Sequence, residues 1–277
     1  MAQAPMVGML TDFGLADGYV GVMKAVLLSI APGVPIVDIT HDIRPQDIEM
    51  GAWSLGIAWR YFPVGSVLLC VVDPGVGSAR RAIALHAHDR YFVGPDNGLF
   101  TYPLLAAGGA ETATECVRLD NVSFHLSRVS ATFHGRDVFA PCAAHLAIGM
   151  EMAELGSPLS PASLVRLSIP LEPWREGDTW FGRVAHVDHY GNLISDIGPK
   201  LTRQALAAPE AFVEVAGHVV SARATHFSGG PSGQPFFLQD SSGALAIVMR
   251  DDSAAQTLSV RRGAQVILRG LEGSEEH

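Results

Sequence analysis

Lysine is almost missing: the 277 residues hold only Lys24 and Lys200, which follow Met23 and Pro199. Neither stands in a Gly-Lys-Ser/Thr tripeptide, so there is no P-loop and phosphoryl transfer of that type is excluded. Cationic groups are scarce altogether, 19 Lys plus Arg against 28 Asp plus Glu, a formal net charge of −9. Such a surface is not stocked to neutralise phosphates, and nucleic acid is not an expected partner. The three cysteines, Cys70, Cys116 and Cys142, form no Cys-x-x-Cys pair. Neither a disulfide framework nor a thiolate zinc site is indicated, and free buried thiols are expected. Long apolar runs are lacking too: even Val67 to Val72 is far short of the roughly 18 residues that span a bilayer. No basic residue precedes Lys24, whereas Asp12 and Asp17 do, so a secretory signal is not indicated and the expected location is cytoplasmic, with no membrane partner. The segment Gly75-Val76-Gly77-Ser78-Ala79-Arg80 has arginine in place of the third glycine of a dinucleotide fingerprint, which argues against a Rossmann cofactor site.

What is present suits a folded enzyme-sized chain. Apolar residues make up 48% and charged residues 17%, enough for a core, and the length fits about two domains. The fold expected is α/β. From Val7 to about Gly156, short apolar runs (Val7 to Leu10, Ile36 to Ile39, Val67 to Val72, Ala82 to Leu85, Tyr91 to Val93) alternate with helix-like stretches (Tyr19 to Ala31, Asp137 to Met150). That alternation predicts a mainly parallel sheet covered by helices over residues 1–160. Pro158, Pro161, Pro170 and Pro173 then mark a linker at 161–178. Short strand-like runs beyond it (Phe181 to Val187, Ala211 to Val215, His218 to Ser221, Ala244 to Met249, Gln265 to Leu268) predict a smaller C-terminal β-barrel over 179–277. Its polar end, 273–277, is expected to fray.

Four segments place polar residues at strand ends, where open α/β sheets put ligands. Asp12, in Thr11-Asp12-Phe13-Gly14, either holds a ribose diol with its two oxygens or serves as a turn residue. Asp73 precedes Arg80 and Arg81 by seven and eight residues, as catalytic partners or as an ion pair. Gly94-Pro95-Asp96-Asn97-Gly98 reads as a tight turn. In Phe133-His134-Gly135-Arg136-Asp137 the imidazole stands at a helix start, where the dipole disfavours its cationic form. His186, Asp188 and His189 lack a third strong ligand at a characteristic spacing, so no metal is expected.

In this order the segments resemble one family. Thr11-Asp12-Phe13-Gly14 with Tyr19-Val20-Gly21, Asp38-Ile39-Thr40-His41, Asp73-Pro74-Gly75-Val76-Gly77, Gly94-Pro95-Asp96-Asn97-Gly98, Phe133-His134-Gly135-Arg136-Asp137 and Asp188-His189-Tyr190-Gly191-Asn192 are similar to the S-adenosylmethionine hydroxide adenosyltransferases, relatives of the fluorinases and chlorinases. The resemblance implies hydrolysis of S-adenosyl-L-methionine to adenosine and L-methionine without a cofactor. It also implies a homotrimer whose substrate lies between one subunit's N-terminal domain and a neighbour's C-terminal domain. By similarity Asp73, Arg80 and His134 form a polar triad that orients and activates water. Asp12 would bind the ribose hydroxyls, Tyr190 and Asn192 the adenine, and Asp188 with Ser241 the amino-acid end of the methionine. Ser195-Asp196 stands where relatives more often carry Thr-Asn, and Ala246 where they often carry Glu.

Two other functions compete. A halogenase would set a halide in the place of hydroxide, but a carboxylate beside the attack position repels a halide, and the fluorinase carries Tyr-Ser where His134-Gly135 stands here. A non-catalytic adenosine or S-adenosylmethionine sensor would keep the ribose and adenine contacts and have no need of the triad.

Overall fold

The run Val67 to Val72 is apolar throughout because both of its faces are covered. In the computed structural model, which describes residues 5–106, 115–168 and 172–271, this run supplies an inner strand of a six-stranded sheet. The strands are β1 (Val7–Thr11), β2 (Ile36–Thr40), β3 (Val67–Val71), β4 (Ala82–Ala87), β5 (Arg90–Pro95) and β6 (Glu115–Arg118). Their order is β2-β1-β3-β5-β4-β6; the first four are parallel, and β4 runs antiparallel to both β5 and β6. Alternation along β3 sorts its side chains. Val67, Leu69 and Val71 face a core built with α1 (Tyr19–Ile30) and α4 (Ala140–Ala147). Leu68 and Cys70 face a second core with α2 (Ile48–Ala58) and α3 (Thr101–Ala106). Each fully buried Val or Leu contributes about 1.5–3 kcal/mol, so the two-sided burial fixes the register of this strand.

The helix expected from Asp137 is shorter than the pattern predicts. A π-turn over Gly135–Phe139 precedes α4, and the helix ends at Ala147. Pro141 has no N–H to give the Asp137 carbonyl, which accepts the Leu126 N–H at 2.9 Å instead. The loop before His134 is thereby tied to the helix start.

The chain divides into two compact units, Met1–Ser168 and Ile169–His277. Within the stretch 161–178, Leu164 is buried in the first unit's core, and β7 (Trp174–Glu176) pairs with β8 (Thr179–Val187). Pro170 and the terminal residues 273–277 lie outside the described residues. In the second unit β9 (Leu193–Ser195), β10 (Phe212–Val215), β11 (His218–Val220), β12 (Phe236–Gln239), β13 (Leu245–Val248) and β14 (Gln265–Arg269) join β8 in the antiparallel order β11-β10-β14-β8-β9-β13-β12. The edges approach each other beyond β11, where the Phe237 N–H donates to the Ala222 carbonyl and the Ala224 N–H to the Phe237 carbonyl. The sheet is thus a nearly closed barrel, packed with α5 (Pro199–Ala207) and α6 (Ala254–Thr257) around Val184, Phe237 and Ile247. Among the described residues no helix is long and apolar enough to cross a membrane.

Candidate active site

β1 has β2 on one side and β3 on the other, so the chain reverses its direction of travel across the sheet between β1 and β3. Ligands of open α/β sheets bind outside the carboxyl ends at such a point. Thr11 lies opposite Val71 in the register, which puts Asp12, one residue beyond β1, close to Asp73, two residues beyond β3. Burial raises the Asp12 carboxyl above its ordinary value and the Asp73 charge adds to this, against the Gln46 N–H, which donates to Asp12 Oδ2 at 2.7 Å.

Asp73 and Arg80 form a two-pronged pair. Arg80 Nε donates to Asp73 Oδ1 at 2.9 Å and Arg80 Nη2 to Oδ2 at 2.5 Å, with 5% of the carboxylate side chain and 11% of the arginine side chain exposed. The same Nη2 lies 2.8 Å from His134 Nδ1. A guanidinium has no acceptor, so Nδ1 must accept and the imidazole is neutral with its proton on Nε2. Burial, followed by the Arg80 charge, lowers the His134 pKa, against the opposing charges of Asp73 and Asp137. Arg81, by contrast, turns away: it donates to Asp96 Oδ2 at 2.6 Å and to Ser163 Oγ at 3.0 Å. Asp96 also accepts the Val165 N–H, and Asn97 Nδ2 donates to the Val72 carbonyl, so this turn braces the strand end that carries Asp73.

Two contacts join the loops that carry the triad. Gly77 has φ +75°, and a Cβ there would lie 2.2 Å from the Ala131 carbonyl oxygen; only glycine lets the 73–80 turn rest on the backbone leading to His134. Phe13, Tyr19 and Phe133 meet edge to face with centroids 5.3–6.0 Å apart, linking the Asp12 loop to the His134 loop. Behind His134, the buried Asp137 accepts from Arg136 Nη2 at 2.9 Å and from the Ser130 N–H at 2.7 Å. Burial acts to raise its pKa, yet these donors hold it below the ordinary carboxylate value.

The remaining four residues read from the sequence lie in the second unit, where Asp188, Tyr190, Asn192 and Ser241 line a cleft of about 980 Å³. Asp188 spends both oxygens on its own loop: Oδ1 accepts the Tyr190 and Asn192 N–H groups, and Oδ2 accepts Asn192 Nδ2 at 2.8 Å. This leaves Tyr190 held out, 77% exposed. Sequence reasoning missed His226, Phe227 and Arg250, which line the same cleft. The available signal was Phe227, an aromatic set in a Ser- and Gly-rich stretch and left half exposed by the fold. All three cysteines are buried and unpaired, and burial pushes the Cys116 and Cys142 thiols up to about 12, so neither offers a thiolate at neutral pH. Among the described residues no group of three or more His, Cys, Asp or Glu is placed to hold a metal ion.

Residues 7–156 match the SAM hydroxide adenosyltransferase N-terminal domain and residues 182–267 the SAM hydroxide adenosyltransferase C-terminal domain. The chain belongs to the SAM hydroxide adenosyltransferase family. Within it, the (R)-S-adenosyl-L-methionine hydrolase of Salinispora arenicola is 41% identical over 96% of this chain and 98% of its own length. That of Thermus thermophilus is 40% identical over 94% and 97%. A fluorinase of an Actinoplanes species is more distant, 30% identical over 70% of this chain and 72% of the relative. The crystal structure of an uncharacterized conserved protein from Thermotoga maritima superposes with a TM-score of 0.86 at 35% identity, covering 95% of this chain and 100% of that one.

Proposed function

We propose that this hydroxide adenosyltransferase hydrolyses S-adenosyl-L-methionine to adenosine and L-methionine by in-line attack of water on C5′. The observation that carries the reading is the hydrogen-bonded set Asp73–Arg80–His134 at the sheet's switch point, within electrostatic reach of Asp12; the names of the full-length relatives agree with it. The sulfonium is already an activated leaving group, so sulfur needs no acid. The nucleophile is what needs help, and positioning together with general-base assistance supplies it, the latter worth about 10²–10⁴-fold. His134 spends its Nδ1 lone pair on Arg80 and offers Nε2–H as a donor to the attacking oxygen. Asp73 keeps a free lone pair on Oδ1 beside its three Arg80 contacts and is the proton acceptor. An attacking water grows strongly acidic as the C–O bond forms, so a carboxylate is basic enough. Asp12 accepts from the ribose hydroxyls, while Tyr190 and Asn192 contact the adenine and Asp188 with Ser241 the amino-acid end.

Assembly belongs to the same reading: three chains associate so that each triad is served by the cleft of a neighbouring subunit. No metal or cofactor takes part. The test is incubation of chelator-treated protein with S-adenosylmethionine in heavy-oxygen water, with and without added halide. Adenosine carrying solvent oxygen at its 5′-hydroxyl, together with methionine, is the expected product. A 5′-halo-5′-deoxyadenosine as major product, or activity lost on chelation and restored by a divalent ion, would overturn the reading.

A further inference from the structure

The motif Asp38-Ile39-Thr40-His41 has no part in the site as described, yet it ends in a histidine only 3% exposed. His41 Nδ1 lies 2.8 Å from Oγ1 of Thr11, the wholly buried last residue of β1. On the other side, Nε2 stands 3.0 Å from Asp38 Oδ1, a close polar contact whose approach is too bent for a hydrogen bond, and Asp38 Oδ2 accepts Lys24 Nζ at 2.7 Å. A line of polar groups therefore runs from the surface at Lys24 to the end of β1.

The groups held by this line surround Asp12. The His41 carbonyl accepts the Gly14 N–H at 2.8 Å, and Thr11 Oγ1 receives the Phe13 N–H at 3.3 Å. Gln46, whose N–H holds Asp12 Oδ2, lies five residues beyond His41 in the same connection to α2. The His41 ring thus meets Thr11, whose hydroxyl in turn receives Phe13, while Gly14 is held by the His41 backbone, and Asp12 sits between them. Histidine is suited to the place because it can meet a hydroxyl with one nitrogen and a carboxylate with the other.

We propose that His41 is a positioning residue, which through Thr11 and Asp38 holds the 11–14 loop so that Asp12 receives the ribose diol. The proposal rests on the ribose reading of Asp12, and the experiment separates the two. Adenosine and 2′,3′-dideoxyadenosine, which lacks the diol, are titrated calorimetrically onto the full-length protein and its variants. The wild type prefers adenosine, and Asp12→Ala abolishes that preference. His41→Ala lowers it about tenfold and leaves dideoxyadenosine affinity unchanged, on the scale of one lost hydrogen bond in the loop. His41→Asn, whose amide reaches Thr11 from the place of Nδ1, retains most of the preference. Asp38→Asn, at the exposed end, lowers it in the same direction and decides the matter should His41→Ala fail to fold. In the Asp12→Ala background, His41→Ala changes nothing further. Equal weakening of both ligands by His41→Ala, multiplying effects in the double variant, or an Asp38→Asn protein with full preference would each overturn the positioning role while the ribose reading stands. An Asp12→Ala protein that still prefers adenosine would remove the ribose reading and this proposal with it.

Discussion

Replacing Asp73 by asparagine changes one charge and almost no volume, so it isolates what the carboxylate does. Asparagine's oxygen can keep bonding to Arg80 on one side, but its NH₂ then faces a guanidinium N–H, donor against donor. With the two side chains only 5% and 11% exposed, loss of one partner of the pair destabilises the fold by about 3–5 kcal/mol, toward the lower end because one bond survives. On the proposed mechanism Asp73 takes the proton, and its loss lowers kcat by about 10²–10⁴. The third effect concerns the nucleophile. A halide in the water's place, about 4 Å from the Asp73 carboxylate at an effective dielectric near 20, is repelled by about 4 kcal/mol, or roughly a thousandfold in occupancy. Arg80 offsets that repulsion in the wild type, and in Asp73→Asn its charge is unopposed, so chloride is attracted. Product chromatography at high chloride, with a thermal melt on the same preparation, should show slowed adenosine formation and a new 5′-chloro-5′-deoxyadenosine peak from folded protein. A folded Asp73→Asn protein that makes adenosine at the wild-type kcat would refute the reasoning.

Activity should fall on the acid side as His134 is protonated, since an imidazolium cannot accept from Arg80. Because its folded pKa lies below the ordinary histidine value of about 6.5, the stability this residue contributes is present above that value and lost as pH falls through the folded pKa; pH–rate and pH–melting profiles of wild type and His134→Gln measure both. Gly77→Ala drives a methyl against the Ala131 oxygen and requires φ +75° of an L-residue; it should lower the melting temperature and reduce kcat more than substrate affinity, whereas Gly217→Ala, also at positive φ but with open space around it, should leave kcat alone. Mixing inactive His134→Ala and Asn192→Ala proteins under conditions of subunit exchange should restore part of the activity, and a monomer that is active by light scattering would rule out shared sites.

The parallel sheet was legible because its inner strands are buried on both faces and read as unbroken apolar runs, as Val67 to Val72 does. α2 was not, because Gly51 and Gly56 interrupt its pattern; they are glycines because a Cβ would come within 2.9 Å of Leu99 and Tyr102, a requirement set by distant residues. β9 was missed because three residues carry no periodicity, and its place in the barrel comes from pairing with β8 and β13. Asp73, Arg80 and His134 could be named through motif resemblance, but the tautomer of His134 required the Arg80 contact. Spacing left Arg80 and Arg81 equivalent; only the fold sends one to Asp73 and the other to Asp96. His41 gave no sign of its position, since Asp38 lies only three residues before it and its buried partner Thr11 meets it only once β1 and β2 are paired.

The charge state of the triad bears on which nucleophile it serves. Asp73 and Arg80 cancel, and His134 is neutral, so the set has a strong local dipole and no net charge. Water fits such a surface from both sides, donating to the Asp73 lone pairs while accepting from His134 Nε2–H. A halide can use only the donor and meets the carboxylate without a proton to offer it. On the proposed mechanism, discrimination against halide comes from the acceptor half of the triad, and a site selective for halide would have to remove that acceptor while keeping donors in place. Substituting His134 alone should accordingly slow hydrolysis without producing a halogenated nucleoside, whereas Asp73→Asn slows hydrolysis and produces one, and the pair of variants assayed side by side in the same chloride buffer distinguishes loss of a donor from loss of the acceptor.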